Sequence, residues 1–275
     1  MTNNITFITH LRYDHPDRIN NLQTILNYYS SNLDGCKFIL VEDDSDHNDN
    51  FDKIKWPGNT SFYLLKNKGS YWKTKSLNYG ISMAKTPVVI SLDVDCIVSS
   101  NAILQSVESV LDDSVLSYPY NGYVLDISKN MHTLFIDNNY DYDSLLDNVP
   151  NIGSLSLGDR LDNLMVRCTN DKHLGMGGVI VFNKERFKGI GGWHEKFRSW
   201  GCEDNELFNR CDILSVKKHR VDNINDVCFH LWHENAIRHN NPYYDSNVNE
   251  LDKLSQGSIS KNKLEDYIKT WDYFK

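Results

Sequence analysis

Val88-Val89-Ile90-Ser91-Leu92-Asp93-Val94-Asp95 is an apolar, β-branched run that ends in two acids. Preceded by the breaker Lys85-Thr86-Pro87, it reads as a strand buried on both faces. A strand of that kind needs helices on both sides of its sheet. The flanking sequence offers them, through Leu77, Ile81 and Ala84 before it and Ile103, Val107 and Val110 after it. Further upstream, residues 5–9, 37–41 and 61–65 read as strands. A helix follows Pro16 through Ile19, Leu22, Ile25, Leu26 and Tyr29. This alternation predicts an α/β domain with a mostly parallel central sheet and right-handed crossovers. Ligands on such sheets bind at the carboxyl ends of the strands. Asp93 and Asp95 fall there, and so do Glu42, Asp43 and Asp44.

Downstream the pattern weakens. Residues 119–173 are rich in Asn and Asp with little periodicity, and read as a variable, partly ordered insertion. Regular structure is expected again as a strand over 177–182, a turn at Gly189, Gly191 and Gly192, a helix over 203–214 and a strand over 227–232. The expected organisation is one domain over residues 1–240. It divides into a nucleotide-binding half (1–118), the insertion and an acceptor half (174–240). A tail over 241–275 carries an amphipathic helix marked by Leu264, Tyr267, Ile268 and Trp271.

A net charge of -8 argues against a nucleic-acid binder, which needs a basic face. No run approaches the roughly 18 apolar residues of a membrane span, and the first residues do not read as a signal peptide. The six cysteines show no regular spacing and read as buried free thiols. A cytoplasmic protein is the expectation, with peripheral membrane association left open.

Four constellations carry chemistry. On a strand, Asp93 and Asp95 point to one side, where carboxylates suit Mg²⁺ or Mn²⁺ on diphosphate oxygens. In Phe229-His230-Leu231-Trp232-His233, imidazole favours Mn²⁺ or Zn²⁺ over Ca²⁺. A regular strand would face His230 and His233 opposite ways, so both bind one ion only if the chain bends, and His233 at the strand's end is preferred. In Trp200-Gly201-Cys202-Glu203-Asp204, the acids either complement a helix dipole or include a base for an acceptor hydroxyl, with Trp200 as a sugar platform. Lys73 and Lys75 open a helix near the strand ends, where a lysine can reach phosphate.

In this order, the pieces resemble the GT-A fold glycosyltransferases, whose sheet is Rossmann-like. The first half is similar to family 2, with Thr9 and Arg12 in the first loop and Glu42 and Asp43 in the nucleotide loop. Lys75-Ser76-Leu77-Asn78-Tyr79-Gly80, Asp93-Val94-Asp95, Gly177-Gly178-Val179, Trp200-Gly201-Cys202-Glu203-Asp204 and Phe208-Asn209-Arg210 resemble animal β-galactosyltransferases. Bacterial chondroitin-type polymerases carry related motifs. The resemblance implies an inverting, Mn²⁺- or Mg²⁺-dependent transfer of a hexose or N-acetylhexosamine from a UDP-sugar to a saccharide hydroxyl, in polysaccharide synthesis. It makes Asp204 the base, with Glu203 beside it as a donor or acceptor contact. Asp95 and His233 become metal ligands, with His230 a third candidate. Thr9, Arg12, Glu42, Asp43, Lys75, Asp93, Gly178 and Trp200 become donor contacts. A retaining N-acetylgalactosaminyltransferase-like enzyme and a non-catalytic carbohydrate binder on the same fold are the alternatives. The relatives carry an aromatic residue where this chain has Gly175, which predicts a roomier donor pocket.

Overall fold

The computed structural model describes residues 1–171, 173–234 and 241–274, so the expected domain boundary at residue 240 lies outside the described residues. The chain opens β1 (Ile5–Leu11), α1 (Pro16–Asn32), β2 (Lys37–Asp44), β3 (Thr60–Lys66), α2 (Lys73–Met83) and β4 (Val88–Leu92). There follow β5 (Cys96–Ile97), α3 (Ser100–Asp112), β6 (Leu116–Tyr118), β7 (Val124–Ile127), α4 (Lys129–Asp137) and α5 (Tyr142–Leu146). The chain continues through β8 (Arg160–Leu161), β9 (Leu164–Cys168), β10 (Val179–Asn183), α6 (Lys184–Gly189), α7 (Glu203–Leu214), β11 (Lys218–Arg220) and β12 (Cys228–His230). It closes with α8 (Tyr244–Lys253) and α9 (Lys261–Ile268).

The fold is α/β and Rossmann-like. Its main sheet has seven strands in the order β11-β6-β10-β4-β1-β2-β3. Every residue of β4 is buried, as its sequence requires of a central strand. Parallel pairing joins β4 to β1, β1 to β2 and β2 to β3. The one reversal is β10, which runs antiparallel to β4 and β6 with Val179 opposite Leu92. This reversal brings Gly177 and Gly178 to the carboxyl end of β4, where Asp93 N–H donates to Gly178 O at 2.8 Å.

A second sheet of five short strands has the order β5-β12-β7-β9-β8. Three of those strands come from residues 119–173, so that segment is folded structure. Its Ser, Asp and Asn side chains cap short elements: Ser128 caps α4, Asp141 caps α5, and Asn151 caps a single 3₁₀ turn. Each element is too short to show a period of its own.

The C-terminal tail packs on the turn that follows α6. Leu264 is buried, and Trp271 stacks on the buried His194 with ring centroids 4.0 Å apart. A Cβ at Gly191 would lie 2.6 Å from Trp271, and one at Gly192 would lie 2.5 Å from Phe274, so the turn excludes side chains at both positions. Arg210 of α7 braces the same turn from inside. It is fully buried, donates to Ile190 O and Gly192 O, and pairs with Glu206 at 2.8 Å. All six cysteines are free, and no described helix is long and apolar enough to cross a membrane.

Candidate active site

The second sheet carries one end of the site to the first. Strand β12 pairs antiparallel with β5, so His230 sits opposite Cys96, the neighbour of Asp95. The strand ends at His230, and Leu231 N–H then donates to Asp95 O at 2.7 Å. That departure from strand geometry turns both imidazoles to the same carboxylate. His230 Nε2 lies 3.5 Å from Asp95 Oδ1, and His233 Nε2 lies 3.3 Å from Asp95 Oδ2. The candidate ligand atoms of Asp95, His230 and His233 all fall within 4.8 Å of one another.

The surroundings fix how the rings are presented. His233 Nδ1 donates to Glu234 O at 2.9 Å, and His230 Nδ1 faces Asp126 Oδ1 at 3.2 Å. Arg167 holds Asp126 at 2.7 Å. With both Nδ1 atoms engaged elsewhere, Nε2 is the ring atom that each histidine presents to Asp95. A metal-bound histidine characteristically has such an outer partner, which orients the ring and raises its basicity. A donor set of one carboxylate and two imidazoles suits a divalent transition ion such as Mn²⁺ better than Mg²⁺ or Ca²⁺. Burial pushes the Asp95 carboxyl up. His230, His233 and the Arg18 guanidinium, which is hydrogen-bonded to it, outweigh burial and hold it well below the usual carboxylate range.

The other end of the site is gathered by Lys73, at the start of α2. Ser199 N–H donates to Tyr71 O at 2.8 Å, and the Trp72 indole donates to Glu195 O at 2.8 Å, which pins the segment before α7 against the start of α2. Lys73 Nζ therefore reaches Glu203 Oε1 at 3.2 Å, Asp93 Oδ2 at 3.3 Å and Asp204 Oδ2 at 4.0 Å. His10 Nε2 also bonds Asp93 Oδ1 at 3.1 Å, and the Tyr71 hydroxyl bonds the other nitrogen of that ring. Burial opposes ionisation of Asp93, but Lys73 and His10 keep it below the usual range.

Asp204 lacks that support. Its Oδ1 is buried with no partner among the described residues. Burial, with repulsion from Glu203 and Asp93, outweighs the pull of Lys73 and pushes its carboxyl up to about 8. Space for it exists because residue 177 is glycine: a Cβ there would lie 2.1 Å from Asp204 Oδ2. Glu203 turns back toward the chain and accepts Gly201 N–H at 2.9 Å.

The remaining sequence candidates are distributed as follows. Thr9 is buried on β1. Arg12 donates to Asp43 O at 2.6 Å and Gly69 O at 2.7 Å. Asp43 is fully buried and accepts Trp72 N–H at 2.6 Å and the Asn67 amide at 2.8 Å. Glu42, also fully buried, accepts Asn48 N–H at 2.8 Å and pairs with His47 at 2.7 Å. These three side chains shape the loops at the strand ends. Gly178 has φ +81°, and a Cβ there would lie 2.8 Å from Cys96 Sγ, so it lets β10 start close to the acids. Trp200 is 57% exposed and lies three residues before α7, the helix that carries Asp204.

The structure also places two further positions that the sequence singled out. Lys75 lies 4.7 Å over the Trp72 ring, outside the acid cluster, and the lysine inside the cluster is Lys73. The lack of a side chain at Gly175 opens no space, because a Cβ there would meet Gly122 O and Val124 at 2.8 Å and the Tyr120 ring at 3.0 Å. Sequence reading missed His10, Arg18 and Asp126 altogether. Each is an ordinary residue in its own element (β1, α1 and β7), and only tertiary packing brings it to the site.

Residues 161–234 match the family model described as the N-terminal domain of galactosyltransferase. The matched segment runs from β8 through β12 and contains Asp204, His230 and His233, while Asp93 and Asp95 lie before it. The match supports a galactosyltransferase-like glycosyltransferase. No curated protein matches the chain.

Proposed function

We propose that the protein is an inverting, divalent-metal-dependent glycosyltransferase. It moves a hexose or N-acetylhexosamine from a UDP-sugar to a saccharide hydroxyl in polysaccharide synthesis, within a reducing compartment that suits its free thiols. Residues 1–118 serve the nucleotide, residues 174–234 serve the acceptor, and Mn²⁺ is the preferred ion. The observation that supports this reading most strongly is the convergence of Asp95, His230 and His233 from two sheets, with Asp204 held separately on α7.

Asp95, His230 and His233 would hold the ion, which when bound offsets negative charge on the diphosphate leaving group. Asp204 accepts the proton of the acceptor hydroxyl as the new bond forms. Its raised pKa makes it a strong base, and it must first lose its own proton, so transfer rises with pH through about 8 in the free enzyme. Lys73 keeps Asp93 ionised beside it and moderates the cost of ionising Asp204. The exposed indole of Trp200 offers an apolar face to the C–H side of a sugar ring.

The test is a screen of UDP-sugars for Mn²⁺-dependent UDP release with and without saccharide acceptors, followed by assignment of the product's anomeric configuration. UDP release that needs neither metal nor Asp204, or a product that retains the donor's configuration, would overturn the proposal.

A further inference from the structure

A cavity of about 240 Å³ lies between α1 and α4, behind the metal donor set. Its walls include Asn20 and Thr24 of α1, Lys129, His132 and Thr133 of α4, and Trp232. The space is below the roughly 300–1,000 Å³ of drug-sized pockets, which suits a single small ring.

The chemistry of the wall selects among small ligands. Thr24 Oγ1 donates to Asn20 O at 3.0 Å, so it must accept from His132 Nε2, 3.1 Å away. His132 Nδ1 is then a bare acceptor, with no protein partner among the described residues. The ring is neutral, because burial pushes its pKa down to about 4. An acceptor that lacks a protein donor is open to the hydroxyl of a ligand in the cavity. Asp17 and Lys129 place one charge of each sign on the wall, so neither an anion nor a cation is favoured. Trp232 supplies an aromatic side chain, with Lys129 Nζ 5.2 Å from its ring centroid.

We propose that this cavity is a second saccharide site, which binds one neutral pyranose unit apart from the reaction centre. Its position links it to that centre without overlapping it. The Asn21 amide donates to Trp232 O at 3.2 Å, in the segment between His230 and His233, while Arg18 of the same helix holds Asp95. A saccharide chain anchored here lies behind the metal donors, where it serves retention of the polymer.

Saturation-transfer NMR with the methyl β-glycosides of glucose, galactose, N-acetylglucosamine and N-acetylgalactosamine, in chelator and without UDP-sugar, tests the site. Its outcome is independent of the transfer reaction. At least one glycoside should give ring-proton signals with the wild type, and the same signals with Trp200→Ala. Thr133→Arg, an exposed change that fills the mouth, should reduce them at least fivefold, and Asn20→Ala should weaken them. Absence of signal from the wild type overturns the proposal. So does signal that survives Thr133→Arg and Asn20→Ala but disappears in Trp200→Ala, which would put the sugar in the reaction cleft.

Discussion

Asp95 and Asp204 are the same residue type at the two ends of the candidate site, with opposite surroundings. Asp95 faces two imidazoles and a guanidinium, which together hold it ionised against burial. Asp204 faces two carboxylates and shares one lysine with them, and its carboxyl is pushed up to about 8. The first environment suits a permanent anion that holds a cation. The second suits a group that takes and releases a proton. A raised or lowered carboxylate thus follows from whether the neighbours gathered by the fold are mainly positive or mainly negative.

The most severe way to break this contrast is Asp204→Asn. Transfer should fall roughly 10²- to 10⁴-fold, the range for loss of a positioned base, while Mn²⁺ binding followed by calorimetry stays intact. The same variant should be the more stable one in alkali. The folded pKa of Asp204 is raised, so its stabilising contribution is complete below the unfolded value near 4 and is lost as pH rises through about 8. Denaturant melts at pH 6 and pH 9 should therefore show the gap between variant and wild type widening in favour of Asn. Asp95 carries the opposite sign. Its folded pKa is lowered, so its contribution is present above the unfolded value and is lost only as acid approaches the depressed folded one.

A smaller effect is expected at Asp126. Asp126→Asn removes the carboxylate behind His230, and Mn²⁺ affinity should drop about 10- to 100-fold, with the pH dependence of transfer unmoved. A shift in that pH profile would mean that the two acids are not separate systems. The mildest change is in the profile itself. Lys73→Met withdraws the one positive charge on Asp204, so the alkaline rise in rate should move to higher pH by about one unit, the size of a shift from a near charge. A shift to lower pH would show that Lys73 is not the moderating charge.

The parts of this site that lie within one element were legible in the sequence, and the parts that depend on pairing were not. The bounds of α7, Glu203–Leu214, coincide with the expected helix, because acids at its start and its apolar spacing are local signals. The strand β4 was legible because five buried residues in a row have few other readings. Lys73 and Lys75 carry equal signals in sequence, and only the bridge from Tyr71 to Ser199 decides which of them meets the acids. The histidines were open for a related reason. Whether His230 and His233 share a ligand depends on the chain leaving β12 at His230, which is set by the backbone of Asp95. Residues 119–173 read as irregular because their strands are two to five residues long: β9 pairs with its neighbour β8 and, across intervening helices, with β7, while β7 alone reaches out to β12.

The aromatic cover on the turn after α6 bears on how the chain reaches its final form. Gly191 and Gly192 rest on Trp271 and Phe274, and Arg210 ties that turn to the helix bearing Asp204. A polypeptide emerging from the ribosome cannot settle this corner until residue 274 has been made. Premature termination near residue 260 would therefore cripple the reaction centre while leaving its own residues in place.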